Sequence, residues 1–357
     1  MKSKVYFIEV KEEEPLSVIS DKVRILSEKS RVLDFIQKDD FIVIKTHFGE
    51  EGNTGFVKPE YIKVVIEEIL KKGAKAVISD TNTLYRGRRT NSKEHLELAR
   101  EHGFYKENLR IEIVIPDDTR KENTLDIEIN KRFVKIAKIA RLFLENNGLI
   151  VISHFKGHLM TGFGGALKNV GMGSATRQGK LFQHSDIAPV VYKNKCVGCA
   201  RCMEVCPGGA IRIVEKKAYI NNKKCIGCAS CISVCSFSAI DVAWGKGADT
   251  IQEKMVEYAS TIIKNKKENL AFFNFLIKIT KECDCIAKDD PRICPDIGIL
   301  ASFDPVAIDK ASFDLVNKVC GRDIFKELHP RCDPQKQLNY AIRLGLGNLN
   351  YELIEIS

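Results

Sequence analysis

The sequence predicts an α/β fold: a mixed, largely parallel sheet with helices on both faces, interrupted by a small cysteine-rich α+β unit. Two observations carry this. Short apolar runs alternate with helical stretches in residues 1–190 and again in 242–357, the pattern of strands joined by helical crossovers. Residues 191–241 lack that alternation and carry eight cysteines in two matching runs. We read 1–190 and 242–357 as two parts of one α/β domain and 191–241 as an insertion between them.

The elements follow in order. Residues 4–10 alternate enough for a first strand. Residues 15–36 read as a helix, with Val18, Val23, Ile25, Leu26 and Val32 on or near one face. FIVIK at 41–45 is a buried strand, and Pro59 opens a helix through Lys72. AKAVISD at 74–80 is the next strand, and 92–102 is a helix stopped by Gly103. A strand at 111–115, a helix at 133–145 and a strand at 148–153 complete the first part. The second part offers a helix at 249–264, a strand at 270–279 and a strand at 297–301. A helix at 305–319, with Asp304 as its N-cap, a helix at 334–344 and a strand at 351–356 end the chain.

Polar, glycine-containing loops follow three of these strands, at 46–58, 81–91 and 154–161. In open α/β sheets ligands gather at the carboxyl ends of strands. The first loop brings Lys45, His47 and Glu50, and the second Asp80, Thr81 and Asn82 with Arg86, Arg88 and Arg89 behind them. The third belongs to SHFKGHLMTGFGGALKNVGMG (153–173), in which His154, Lys156 and His158 alternate. Gly162, Gly164 and Gly165 then lead into a helix bearing Lys168 and Asn169. Lysine near a glycine-rich helix start suits an anion, although neither a P-loop nor a dinucleotide fingerprint is present. Convergence on one cleft would supply cations (Lys45, Lys156, Lys168), acid–base or metal-binding groups (His47, His154, His158), an acid (Asp80) and an amide (Asn169). These eight residues are the candidate catalytic set.

The cysteine unit reads CVGCARCMEVCP and CIGCASCISVCS. Each run is Cys-x2-Cys-x2-Cys-x3-Cys, the spacing of a two-cluster bacterial ferredoxin, whose fourth cysteine ligates the other cluster. One [4Fe–4S] cube is expected on Cys196, Cys199, Cys202 and Cys235, and the second on Cys225, Cys228, Cys231 and Cys206. The inserted unit is thus a ferredoxin-like dicluster domain. Disulfides or zinc are the competing uses of cysteine, and the double repeat disfavours both. A third group, Cys283, Cys285 and Cys294, has a spacing that suits zinc or iron, with Cys320, Cys332, Asp284 or a histidine as a fourth ligand.

The formal charge of +9 first suggests nucleic acid. Eight lysines and arginines against three acids fall within 191–241, where cluster thiolates would offset them. There is no basic–aromatic stripe, so nucleic acid is not an expected partner. No apolar run reaches the length of a membrane span. The N-terminus lacks the apolar core of a signal peptide, and 13 cysteines suit a reducing compartment, so the expected location is cytoplasmic.

The stretches HFKGH…TGFGGALKNVGMG, SDTNTLYRGRR and CDC…PDIGILASFDPVAID, with the cysteine insert, resemble the DUF362 family of iron–sulfur proteins. The resemblance implies one α/β domain interrupted by a dicluster ferredoxin, and it implies no reaction. Two functions follow as expectations. The chain is an oxidoreductase passing electrons from the clusters to a small anionic substrate or metal in the α/β cleft. Alternatively, it is a carrier or accessory module that docks an electron donor or acceptor protein. A convergent pocket favours the first; an exposed apolar patch without one favours the second.

Overall fold

The computed structural model describes residues 2–117, 119–184, 188–243 and 248–357. Eight strands form one sheet: β1 (Ser3–Glu9), β2 (Phe41–Lys45), β3 (Lys75–Ser79), β4 (Glu112–Val114), β5 (Gly148–His154), β6 (Leu270–Leu276), β7 (Gly298–Ser302) and β8 (Tyr351–Glu355). Their spatial order is β8-β1-β7-β6-β5-β2-β3-β4. Five of the seven pairings are parallel, and β7 runs antiparallel to both of its neighbours. Strands from both sides of the cysteine unit therefore share one sheet: β6 lies beside β5, with Phe272 opposite Val151.

The central strands are apolar end to end because both faces are covered. Every residue of β5 and β6 is buried. Alternation sends Val43, Leu149, Val151, Phe272 and Leu300 into one core. Ile42, Ile44, Ile150, Ile152 and Phe273 go into the other. Helices α1 (Leu16–Ser30) and α2 (Pro59–Lys71) cover the second face. The first is covered by α3 (Ala166–Gly171), α4 (Ile251–Lys266), α5 (Pro305–Cys320) and α6 (Lys336–Arg343). Asp304 caps α5 by accepting from the N–H groups of Val306 (2.8 Å) and Ala307 (2.9 Å), with Pro305 at its first position.

Two expected elements differ. The first helix stops at Ser30, where Arg31 takes a left-handed conformation. The helix expected at 133–145 is instead a strand, Ile136–Ala140, paired antiparallel with Thr124–Glu128. Its apolar residues fit either period. Pairing selects period two, burying Ala137 and Ile139 while Ile136 stays 50% exposed.

The cysteine unit starts and ends as an antiparallel pair, Val190–Val191 with Ile240–Asp241, so its two ends lie together. Its halves have matching backbones. Gly198 and Gly227 both have φ of +72°, a region that favours glycine. Arg201–Glu204 and Ser230–Ser233 are corresponding helical turns. No described helix is long and apolar enough to cross a membrane.

Candidate functional site

Strands β2, β3, β5 and β6 run parallel, so their carboxyl ends open on one edge of the sheet. The loops after Lys45, Ser79, His154 and Leu276 meet there around a cavity of about 110 Å³. Lys45, His47, Asp80, His154, Lys156, His158, Lys168 and Asn169 all line it, together with Cys283 and Cys285. Thr83, Tyr85, Arg89, Lys180 and His184 complete much of the polar wall.

Two buried ion networks form the floor. In the first, Lys45 Nζ lies 2.9 Å from Asp80 Oδ1 and donates to Asn169 Oδ1 at 2.8 Å. Arg89 donates to the other Asp80 oxygen at 2.9 Å and meets His47 Nε2 at 2.8 Å. Burial favours a protonated Asp80, but Lys45 and Arg89 outweigh it and hold the carboxyl well below its usual range. Burial also lowers Lys45, partly offset by Asp80. His47 is pushed well below its ordinary value by burial and then by Arg89, so the ring is neutral at pH 7.

In the second network, Asp284 is fully buried between His154 and Lys156. Its Oδ1 lies 2.7 Å from His154 Nδ1 and its Oδ2 lies 2.9 Å from Lys156 Nζ. Burial opposes ionisation of Asp284, and His154 and Lys156 overcome it to hold the carboxyl well below normal. The second His154 nitrogen faces Lys278 O at 3.1 Å, so whichever nitrogen carries the proton finds an acceptor.

Asp284 separates the two cysteines that reach the cavity. Cys283 Sγ accepts from Lys168 Nζ at 3.5 Å. A hydrogen bond from Cys285 is the largest influence lowering the Cys283 thiol, with Lys168 and Lys156 acting the same way against burial. His158, Cys283 and Cys285 bring their ligand atoms within 4.8 Å of one another, a spacing that a metal ion can bridge.

Some expectations need correction. Cys294 does not join Cys283 and Cys285; it is buried, and burial first and then the neighbouring Cys320 push its thiol up to about 12. Cys332 lies instead against Gln252 at 3.4 Å. Asp284 is the counter-ion of Lys156 and a hydrogen-bond partner of His154, with no place in the set of mutually close ligand atoms. Of the three arginines after β3, only Arg89 enters the cavity: Arg86 donates to Ser236 O at 2.9 Å, and Arg88 pairs with Glu101. Tyr85, Lys180, His184 and the buried His95, 3.2 Å from Arg89, were not singled out from the sequence. Tyr85 lies in the polar loop after β3 and His95 just beyond it, whereas Lys180 and His184 lie on the helix Arg177–His184, which no local pattern marked.

Two further cavities lie in the cysteine unit. Cys196, Cys199, Cys202 and Cys235 line one. Cys206, Cys225, Cys228 and Cys231 line the other. Backbone N–H groups donate to sulfur at corresponding places, Ala210 to Cys206 (3.3 Å) and Ala239 to Cys235 (3.2 Å).

The unit is tied to the main cavity by shared walls. Leu84 lines the cavity and also packs into the core of the cysteine unit. Helix Arg177–His184 sends Lys180 and His184 to the cavity and Leu181 to that same core.

Fold and site together define a mixed α/β protein with a cationic, thiol-bearing cavity at its strand ends and a cysteine-rich unit beside it. The model of the family described as "Domain of unknown function (DUF362)" matches residues 42–314, and the chain belongs to that family. No curated protein matches it. Among solved structures, it is similar to the lactate racemase apoprotein from Thermoanaerobacterium thermosaccharolyticum, at 13% identity and a TM-score of 0.39 over 78% of this chain and 51% of that one. It is also similar to a protein from Thermotoga maritima, at 15% identity and a TM-score of 0.42 over 90% of this chain and 61% of that one. The chain thus spans about half of the first structure and about three-fifths of the second. At these scores neither likeness bears on activity.

Proposed function

We propose that the chain is an iron–sulfur redox protein that holds two [4Fe–4S] clusters and exchanges electrons with a small anionic substrate in the α/β cavity. The observation that carries this reading is the sorting of eight cysteines into two fourfold cavities by the crossed pairing that a dicluster requires. The donor set fits: four thiols face each cavity, and N–H groups reach Cys206, Cys235 and Cys196 at 3.2–3.3 Å, the kind of contact that tunes a cluster. When bound, such clusters supply one-electron transfer at low potential.

The chain's own residues do the remaining work. Leu84 and Leu181 join the cysteine unit to the cavity wall and exclude water between them. Lys168, 3.5 Å from Cys283 Sγ, is the cation placed to bind an anionic substrate. An electron donor or acceptor protein would dock on the exposed apolar rim of the Cys196 cavity, where Val197 and Phe237 are 51% and 47% exposed. That rim also suits a pure carrier; the convergent polar cavity favours the enzyme.

The test is iron and acid-labile sulfide content, with EPR of the reduced form, on protein isolated without oxygen. About eight of each and two interacting cube signals are expected. Fewer than about eight irons in unoxidised material would sink the reading.

A further inference from the structure

We infer that His158, Cys283 and Cys285 form a separate mononuclear site for a borderline-soft divalent cation of the zinc type, open to the cavity at its fourth position. This goes beyond the cluster reading and does not depend on it, since none of these residues belongs to the cysteine unit.

Three observations meet here. The three donor atoms lie within 4.8 Å of one another, as ligands of one tetrahedral ion must. They come from two segments held against each other by backbone. His158 sits on the short hairpin Lys156–His158/Gly162–Gly164, and Gly157 N–H donates to Thr280 O at 2.9 Å, just before the cysteines. Finally, His158 is only 9% exposed, and its Nδ1 is the ring nitrogen engaged by the protein. Among the described residues no hydrogen bond is recorded for Nε2, which leaves that atom to face the sulfurs.

Thr161, behind the histidine, offers an acceptor for the tautomer this assignment requires. Thr161 Oγ1 lies 2.9 Å from His158 Nδ1 and can place its own hydrogen on Phe163 O at 2.7 Å. It can therefore accept the Nδ1 proton when Nε2 holds an ion, the usual outer support of a metal-binding histidine. As the ring stands, the N–H groups of Met160 and Thr161 donate to Nδ1 at 3.2 Å, the second shared with His158 O, so an ion at Nε2 requires the ring proton to move to Nδ1 and these two long bonds to give way.

Two thiolates and one imidazole select zinc-like ions over hard cations. Three protein ligands with one position left open are the pattern of a catalytic centre; a structural site is closed. Lys168 stands beside Cys283, and Tyr85 lines the same cavity with a buried hydroxyl that has no hydrogen-bond partner among the described residues. The open position thus suits a small ligand with an anionic oxygen, which the ion would polarise.

The test is zinc(II) titration of the full-length chain, isolated without oxygen with its cysteine unit intact, against a chromophoric competitor. Iron and sulfide are assayed in the same samples, so loss of clusters and loss of this site are told apart. One zinc per chain is expected. Cys283→Ser and Cys285→Ser should each weaken it by more than about 100-fold, beyond the cost of an outer-shell change, while Cys294→Ser leaves it unchanged. Absence of saturable zinc, or unchanged affinity in both serine variants, overturns the proposal. Should those variants fail to fold, zinc-edge X-ray absorption of the wild-type protein decides. Two sulfurs, one nitrogen and one further light atom support the site; four sulfurs place the zinc in the cysteine unit and overturn it.

Discussion

Lys156 Nζ lies 2.9 Å from Asp284 Oδ2, a contact between residues 128 positions apart in which both side chains are buried. Asp284 is the residue between Cys283 and Cys285, so this pair fixes where both sulfurs stand. Asp284→Asn leaves Lys156 without its counter-ion. A loss of about 3–5 kcal/mol is expected, as for other broken buried pairs. Urea denaturation of the two proteins at pH 7 measures it, and a change below about 1 kcal/mol would show the pair to be dispensable.

Asp309 gives the chain a pH-dependent stability. Its buried carboxyl accepts from the N–H groups of Ala166 (2.7 Å) and Leu167 (2.9 Å) and from Asn274 (2.8 Å). Burial outweighs these bonds and raises its pKa to about 6. The folded form therefore keeps a proton that the unfolded chain releases from about pH 4 upward. This contribution is fully present below about pH 4 and is lost as pH rises through about 6, roughly 3 kcal/mol in all. Asp309→Asn should remove that slope. Urea midpoints from pH 4 to 7 compare the two proteins, and parallel curves would refute the assignment.

Gly157 has no room for a side chain. A Cβ there would stand 2.1 Å from Lys281 O, which is backbone and cannot swing aside. Gly157→Ala should push the His158 hairpin away from the cysteine loop at a cost of about 1–3 kcal/mol. Zinc affinity should fall with it, while iron content is unchanged. Equal zinc affinity in the two proteins would separate the hairpin from the site.

The crossed cavities predict which cluster each fourth cysteine holds. Cys206→Ala should strip the cluster on Cys225, Cys228 and Cys231 and spare the other. Cys235→Ala should strip the one on Cys196, Cys199 and Cys202. Each variant should retain about four irons, and EPR should show one isolated cube. Loss of the opposite cluster, distinguished by its potential, would reverse the pairing.

Charges on the apolar rim should block a protein partner without touching the clusters. Val197→Glu with Phe237→Glu should slow reduction by a ferredoxin or flavodoxin about tenfold or more, by desolvated charge at the contact. Reduction by dithionite should be unaffected. Equal slowing of both reactions would point to cluster damage.

Much of this was legible in the sequence. Strand–helix alternation defined the sheet because short apolar runs can be buried only in its interior. The loops after FIVIK, AKAVISD and GLIVIS marked the site because parallel strands present their carboxyl ends on one edge. All eight residues selected on that argument line one cavity. The repeated cysteine spacing pointed to a crossed grouping, three cysteines of one run with the fourth of the other, and that is how the eight cysteines line their two cavities.

Only the tertiary structure decided the partners. The sequence offered three arginines after β3, and packing brought Arg89 alone to Asp80. It grouped Cys294 with Cys283 and Cys285 by proximity along the chain, whereas folding buries Cys294 against Cys320 and brings His158 to the other two. It read 133–145 as a helix, and pairing with Thr124–Glu128 made a strand of it. The reason is common to all three. Periodicity and spacing specify which face of a segment is buried, but which residues meet depends on which segments pack together, and no local pattern records that.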